Sequence, residues 1–210
     1  MVTVEISAIS SLTISNLTCI RGERVLFRDL SFAAAEGQAL AIEGPNGAGK
    51  TSLLRMIAGF IAPASGNIVL KSGGKISDPE ERGKRIGWLG HQDGAKPQLT
   101  PTEVLTFFAQ LYGCAADVAA ALASAGLERC ATLPCQYLSA GQKKRLALAR
   151  LKLSGRALWL LDEPLAALDT NGKKFAADLI ASHCAAGGIA LAATHEPLGI
   201  DCVRLTLGGA

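Results

Sequence analysis

Aromatic residues are scarce in this sequence, only 5% of 210 residues, so Ala, Leu, Ile and Val must fill the core. At 49% hydrophobic, the chain can still build a substantial one, as a single domain or as one domain with a sizeable insertion. Long apolar runs are missing: none reaches the roughly 20 residues that a membrane helix needs. Residues 1–10 lack a basic start and a cleavage site, so no signal peptide is expected. The charge balance is nearly even, and a net charge of +3 gives no argument for nucleic acid. No C-x-x-C pair occurs among Cys19, Cys114, Cys130, Cys135, Cys184 and Cys202. They read as reduced core or surface thiols, with a metal role for Cys130 and Cys135 as the alternative. Together these absences predict a cytosolic chain that reaches a membrane only through a partner.

What the sequence does contain is a run of Gly44, Pro45, Asn46, Gly47, Ala48, Gly49, Lys50, Thr51 and Ser52. It satisfies the phosphate-loop pattern G-x-x-x-x-G-K-[ST]. An apolar stretch of strand character, residues 39–43, precedes it. Leu53, Leu54, Ile57 and Ala58 follow at helical spacing until Gly59. Glycines without Cβ atoms let such a loop curl its N–H groups inward toward an anion. The following helix adds the positive end of its dipole at the same spot. Lys50 is the candidate to reach the β- and γ-phosphates of ATP, and the Thr51 hydroxyl the candidate to ligate Mg²⁺.

Strands are expected at residues 12–19, 25–27, 30–33, 67–70, 86–89, 157–161, 189–193 and 203–207, with a turn at 21–24. Residues 71–85 are polar and read as a solvated loop. Thr100-Pro101-Thr102-Glu103 forms a capping box before a helix, and residues 115–125 form a second helix. A helix at 172–186 lies between the last long strands. The reading is an α/β fold with a mostly parallel core sheet, an N-terminal antiparallel β part and an inserted helical subdomain at about 93–150, all within one domain, 1–210.

A second acidic site follows an apolar strand. Asp162 would hold Mg²⁺, through water since that ion keeps much of its hydration shell, and Glu163 would polarise an attacking water. Further back, Ser139 is a natural N-cap for the helix containing Leu146, Ala149 and Arg150. Gly141 and free N–H groups there make a second candidate anion site. Lys143, Lys144 and Arg145 fall in that first turn, where the dipole disfavours cations. Either they form a solvated basic face or a phosphate nearby offsets the mismatch.

Leu138-Ser139-Ala140-Gly141-Gln142 resembles the L-S-G-G-Q signature of ATP-binding cassette (ABC) ATPases, with Ala140 in place of a glycine. Four more landmarks of that family appear over nearly the whole chain: the phosphate loop with its acidic partner strand, Gln92 at the Q-loop, Leu168-Asp169 at the D-loop and Thr194-His195 at the switch. The resemblance implies a P-loop NTPase of the ABC type that hydrolyses ATP with Mg²⁺. It implies that Gln92 touches Mg²⁺ and relays to a membrane partner, that His195 senses the γ-phosphate, and that Ser139, Gly141 and Gln142 cover the nucleotide of a second copy in a head-to-tail dimer. ABC proteins usually offer adenine an aromatic ring near position 21; here Arg21 is the candidate to stack on the base.

One branch is closer. The stretch Gly90-His91-Gln92-Asp93-Gly94-Ala95-Lys96, with Leu99-Thr100-Pro101-Thr102-Glu103 and the LSAGQKKRLALAR run, resembles the ATP-binding subunits of the cytochrome c maturation system, the haem exporter. That implies a peripheral protein on the cytoplasmic side of the inner membrane, docked on a membrane subunit of the CcmB type and other maturation components. Its ATPase would drive haem export or release of a haem-loaded chaperone. The alternatives are a soluble ABC ATPase of an iron–sulfur assembly type and the ATP-binding subunit of another ABC transporter. His91 reads as structural or partner-facing, since no C-x-x-C-H haem-attachment motif occurs.

Overall fold

The computed structural model describes residues 9–90 and 94–208. Its centre is a five-stranded sheet in the order β6 (Ile86–Leu89), β7 (Leu158–Asp162), β8 (Ile189–Ala193), β3 (Ala39–Glu43) and β9 (Val203–Thr206). Every neighbouring pair in this sheet runs parallel. The all-buried sequences LWLLD in β7 and IALAA in β8 follow from that arrangement, because both faces of a central parallel strand are covered. A second, antiparallel sheet packs beside it in the order β2 (Arg24–Ala35), β1 (Ser11–Arg21), β4 (Ser65–Lys71) and β5 (Lys75–Ile76). The expected two strands at 25–33 are one long strand, β2, kept continuous by its pairing with β1 through register shifts.

The helices sit around this frame. Helix α1 (Lys50–Ile57) leaves the phosphate loop and buries Leu53, Leu54, Met56 and Ile57 in the core shared by the two sheets. Helices α3 (Pro101–Leu111), α4 (Val118–Ser124) and α5 (Ala140–Leu153) close a separate core around Leu105, Leu122, Leu127 and Leu146. Helix α6 (Thr170–Ala185) covers the other side of the parallel sheet with Ala176, Leu179 and Ile180. Thr100 and Ser139 each form a reciprocal capping box, with Glu103 and Gln142, at the starts of α3 and α5. Helix α4 is shorter than expected and is capped by Asp117.

Residues 71–85 are mostly exposed but are not a plain solvated loop. They contain β5 and a short helix, α2 (Pro79–Gly83), and Arg82 is 4% exposed. Its guanidinium donates to the carbonyls of Ile57, Ile68 and Ser77, which offsets the cost of burying a cation. The basic start of α5 is not a solvated face either: Lys144 is buried, and Arg145 lies against Gly126. All six cysteines are free. Burial pushes the thiols of Cys19, Cys130, Cys135, Cys184 and Cys202 up, which keeps them protonated and inert. Among the described residues no group of His, Cys, Asp and Glu forms a metal cluster, so Cys130 and Cys135 are packing residues.

Candidate nucleotide site

The loop between β3 and α1 is held open by steric necessity. Gly44 has φ 144°, and a Cβ there would meet the Leu207 carbonyl oxygen at 2.2 Å. Gly49, at φ 99°, begins α1, and a Cβ would lie 3.1 Å from the Phe27 ring. Strand β2 therefore runs directly over the loop.

Lys50 is 7% exposed, and its Nζ donates to the carbonyls of Gly44 (2.7 Å) and Pro45 (3.2 Å). Those contacts hold the ammonium over the mouth of the loop. His195 Nε2 lies 3.2 Å from the same Nζ and 3.4 Å from Glu163 Oε1. A single ring nitrogen cannot serve both neighbours. With its proton on Nε2 the imidazole donates to Glu163; with the proton on Nδ1 it accepts from Lys50.

Glu163 has φ 50°, an unusual angle for a residue with a Cβ. It costs on the order of 1–2 kcal/mol. The angle is fixed by a backbone hydrogen bond from Glu163 N to the Ala193 carbonyl (2.9 Å), which ties the end of β7 to the end of β8. Its carboxylate faces His195.

Thr51 Oγ1 donates to Asp162 Oδ1 at 2.9 Å and lies 3.1 Å from Oδ2. Asp162 is 5% exposed. A buried carboxylate needs a partner, and a hydroxyl beside it makes a pair of hard oxygen donors. That pair fits Mg²⁺, which takes one or two protein oxygens and fills the rest of its octahedron with phosphate and water.

These groups line one cleft of about 500 Å³, with Asn46, Gly47, Gly49, Lys50, Thr51, Ser52, Asp162, Glu163 and His195 in its wall. Not every candidate converges there. Arg21 is exposed at the end of β1 and is not in the wall; Arg24, Leu26 and Arg55 are. The sequence signal for Arg24 was its place in the same turn, but only the course of β2 over the loop distinguishes it from Arg21. Ser139, Gly141 and Gln142 also lie outside this wall. Ser139 Oγ accepts from Gln142 N, and Gln142 Oε1 accepts from Ser139 N, so both side chains serve the start of α5. Gly141 packs tightly: a Cβ would sit 2.7 Å from the carbonyl oxygen of Ala167. His91, Gln92 and Asp93 lie outside the described residues.

The sequence profile of the ABC transporter family matches residues 27–166, the span from β2 through the acidic end of β7. The chain belongs to the ABC transporter family. It is 48% identical over 195 residues to the cytochrome c biogenesis ATP-binding export protein CcmA of Rhodopseudomonas palustris (strain BisB5), covering 92% of this chain and 96% of the relative. It is 50% identical over 198 residues to the CcmA of Nitrobacter winogradskyi, covering 93% and 97%. Among solved structures, an ABC transporter ATP-binding protein from Pyrococcus furiosus superposes with a TM-score of 0.81, covering 94% of this chain and 98% of that one at 23% identity. The ATP-binding subunit of another ABC transporter superposes at 0.75, covering 89% and 80%. Membership of this family implies that the chain binds ATP.

Proposed function

We propose that this chain is the ATP-hydrolysing subunit of an ABC complex in c-type cytochrome biogenesis. Its ATPase would drive haem export or release of a haem-loaded chaperone. The observation that carries the reading is near-half identity to CcmA proteins over more than nine tenths of both chains. The cleft supports the chemistry, because beside a phosphate loop one imidazole lies 3.2 Å from a lysine ammonium and 3.4 Å from a carboxylate.

In this proposal the reaction is transfer of the γ-phosphoryl group to water, giving ADP and phosphate, mostly by positioning and charge stabilisation. The loop N–H groups and the start of α1 cradle the phosphates. Lys50 exchanges its carbonyl and imidazole contacts for phosphate oxygens. Freed of Lys50, His195 turns its Nε2 proton toward the γ-phosphate or Glu163. Glu163 accepts a proton from the attacking water. Thr51 and Asp162 would hold Mg²⁺, which supplies positive charge to the phosphates when bound. Gln92 is proposed to join them and to relay to the membrane partner. Ser139, Gly141 and Gln142 would close the site of a second copy in a head-to-tail dimer, and the stretch 93–150 is proposed to act as a helical subdomain.

Among the described residues no helix is long and apolar enough to cross a membrane, so attachment at the cytoplasmic side of the inner membrane would run through partners such as a CcmB-type subunit. A groove of about 280 Å³ lined by Trp88, Phe108, Tyr112 and Arg150 suits an apolar partner segment. Exposed Phe60 and Phe107 extend it, packed edge-on against Trp88 and Phe108.

The test uses Glu163→Gln, purified from membranes with ATP present. Expected are retained ATP binding, turnover lowered on the order of 100-fold or more, a trapped dimer, and a CcmB-like membrane protein recovered alongside. Undiminished hydrolysis would remove Glu163 from the mechanism. Recovery with iron–sulfur scaffold proteins, or as a homodimer alone, would remove the cytochrome reading and leave the ATPase.

A further inference from the structure

A second cleft, of about 720 Å³, opens at the other end of β7 and shares no lining residue with the nucleotide cleft. Trp159 lies three residues before Asp162, or about 10 Å along the strand, so the two clefts lie toward opposite ends of the sheet. The walls come from the connection between α3 and α4, from α4, from the end of α5, from β7 and from α6. A space bounded by this many elements, within the range of about 300–1,000 Å³ of small-molecule sites, suits a compact ligand rather than a docking helix.

Its chemistry is uneven. Trp159 and His183 stack face to face at 3.8 Å, with 6° between their planes, and form a flat wall beside Leu153 and Leu179. Both rings are buried, 3% and 5% exposed. His183 Nε2 lies 3.3 Å from the Ile189 carbonyl and donates to it, since a carbonyl can only accept. Burial pushes this imidazole down to about 4, so the wall is uncharged at neutral pH. The Trp159 indole N–H is buried and has no hydrogen-bond partner, so this ring enters the wall as an apolar surface.

The rim carries the charge. Lys152 is exposed and has no ion-pair partner among the described residues. Arg156 stands beside it, donating to the Lys84 carbonyl with the rest of its guanidinium over the Tyr112 ring. The acidic lining residue, Asp117, already accepts from Ala120 N as the cap of α4. Ser124 and Ser182 donate to the Ala121 and Asp178 carbonyls of their own helices. The cleft therefore offers an apolar wall and a surplus of positive charge at its mouth.

We propose that this cleft binds a small aromatic acid, its ring against the Trp159–His183 wall and its anionic group at Lys152 and Arg156. Neither the nucleotide chemistry nor the apolar groove beside Phe108 uses this wall, and Arg156 lines both that groove and this cleft.

The test titrates the purified chain with 8-anilinonaphthalene-1-sulfonate, an apolar aromatic anion, and follows energy transfer from tryptophan to the dye. Expected is saturable binding of one dye per chain, with transfer from Trp159 and also from Trp88 on the neighbouring strand. Lys152→Glu should weaken binding about tenfold, as loss of a charge-assisted contact does, and Lys152→Arg should restore it. Ala120→Phe, at an exposed position of the lining, should also block the dye while ATP turnover persists as the check on folding. The uncharged analogue N-phenyl-1-naphthylamine should bind about tenfold more weakly for the same reason. Equal affinity for the two dyes would overturn the anion preference. Binding unchanged by Lys152→Glu and Ala120→Phe, or absence of saturable binding, would overturn the site.

Discussion

Strand β7 buries polar groups at both of its ends, and it does so by opposite means. At the carboxyl end, Asp162 is covered but receives the Thr51 hydroxyl, and the neighbouring Glu163 faces His195. Near the other end, Trp159 keeps an indole N–H without a partner, and the stacked His183 is neutral because burial forbids its charge. The difference lies in what the surrounding chain can offer. Loops converge at the carboxyl ends of parallel strands and bring hydroxyls, ammonium groups and backbone N–H groups with them. At the amino ends, helix flanks bring Leu and Ala. One end can hold ionised groups ready for phosphate; the other excludes charge to its rim.

The sharpest way to break this contrast is at the charged end. Lys50→Ala should lower ATP turnover on the order of 100-fold or more, the usual cost of removing a charge aimed at the developing anion. Stability should change by no more than about 1–2 kcal/mol, because the Gly44 and Pro45 carbonyls lose a donor but lie where water can replace it. Steady-state hydrolysis and urea denaturation measured side by side check both halves. A variant with unchanged ATPase would contradict the phosphate-loop reading.

The opposite end should show itself in stability rather than turnover. His183 is pushed down to about 4 from an ordinary 6.5. Between those values the unfolded chain binds a proton that the folded chain refuses, so stability is full above about pH 6.5 and is lost as the pH falls toward 4. At about 1.4 kcal/mol per unit the loss is roughly 3 kcal/mol. His183→Gln removes the titration. Urea unfolding of both proteins at several pH values should therefore show wild type losing more stability than the variant as the solution is acidified. Parallel losses would mean that the imidazole is protonated in the folded protein.

How much of this was legible beforehand depends on how local each signal was. The phosphate loop, Asp162 and Glu163 were readable because a short run of residues between a strand and a helix carries the pattern by itself. The caps at Thr100 and Ser139 were readable for the same reason. The burial of Arg82 was not: its acceptors are the carbonyls of Ile57, Ile68 and Ser77, which only the fold brings together. The Trp159–His183 wall was equally hidden, since its two rings are 24 positions apart and meet through the packing of α6 on β7. Arg21 and Arg24 are cross-strand partners, and no pattern in the turn says that β2 is the strand lying over Gly49.

The smallest effect is expected at that last position. Arg24 lines the nucleotide cleft, and its Nη1 would lie 4.0 Å from a Cβ on Gly47. Arg21 is its partner across the hairpin and stands outside the wall. No aromatic ring lines this cleft among the described residues, so Arg24 and Arg55 supply the flat cations of its wall. Stacking of a guanidinium on a base at an exposed site contributes about 0.5–1 kcal/mol. Arg24→Ala should therefore raise the KM for ATP about two- to fivefold at an unchanged kcat, because the contact is made equally in the ground and transition states. Arg21→Ala should leave both constants as they are. A larger effect at Arg21 than at Arg24 would mean that β1 swings over the loop when nucleotide binds, and would return the base to the residue that the sequence first suggested.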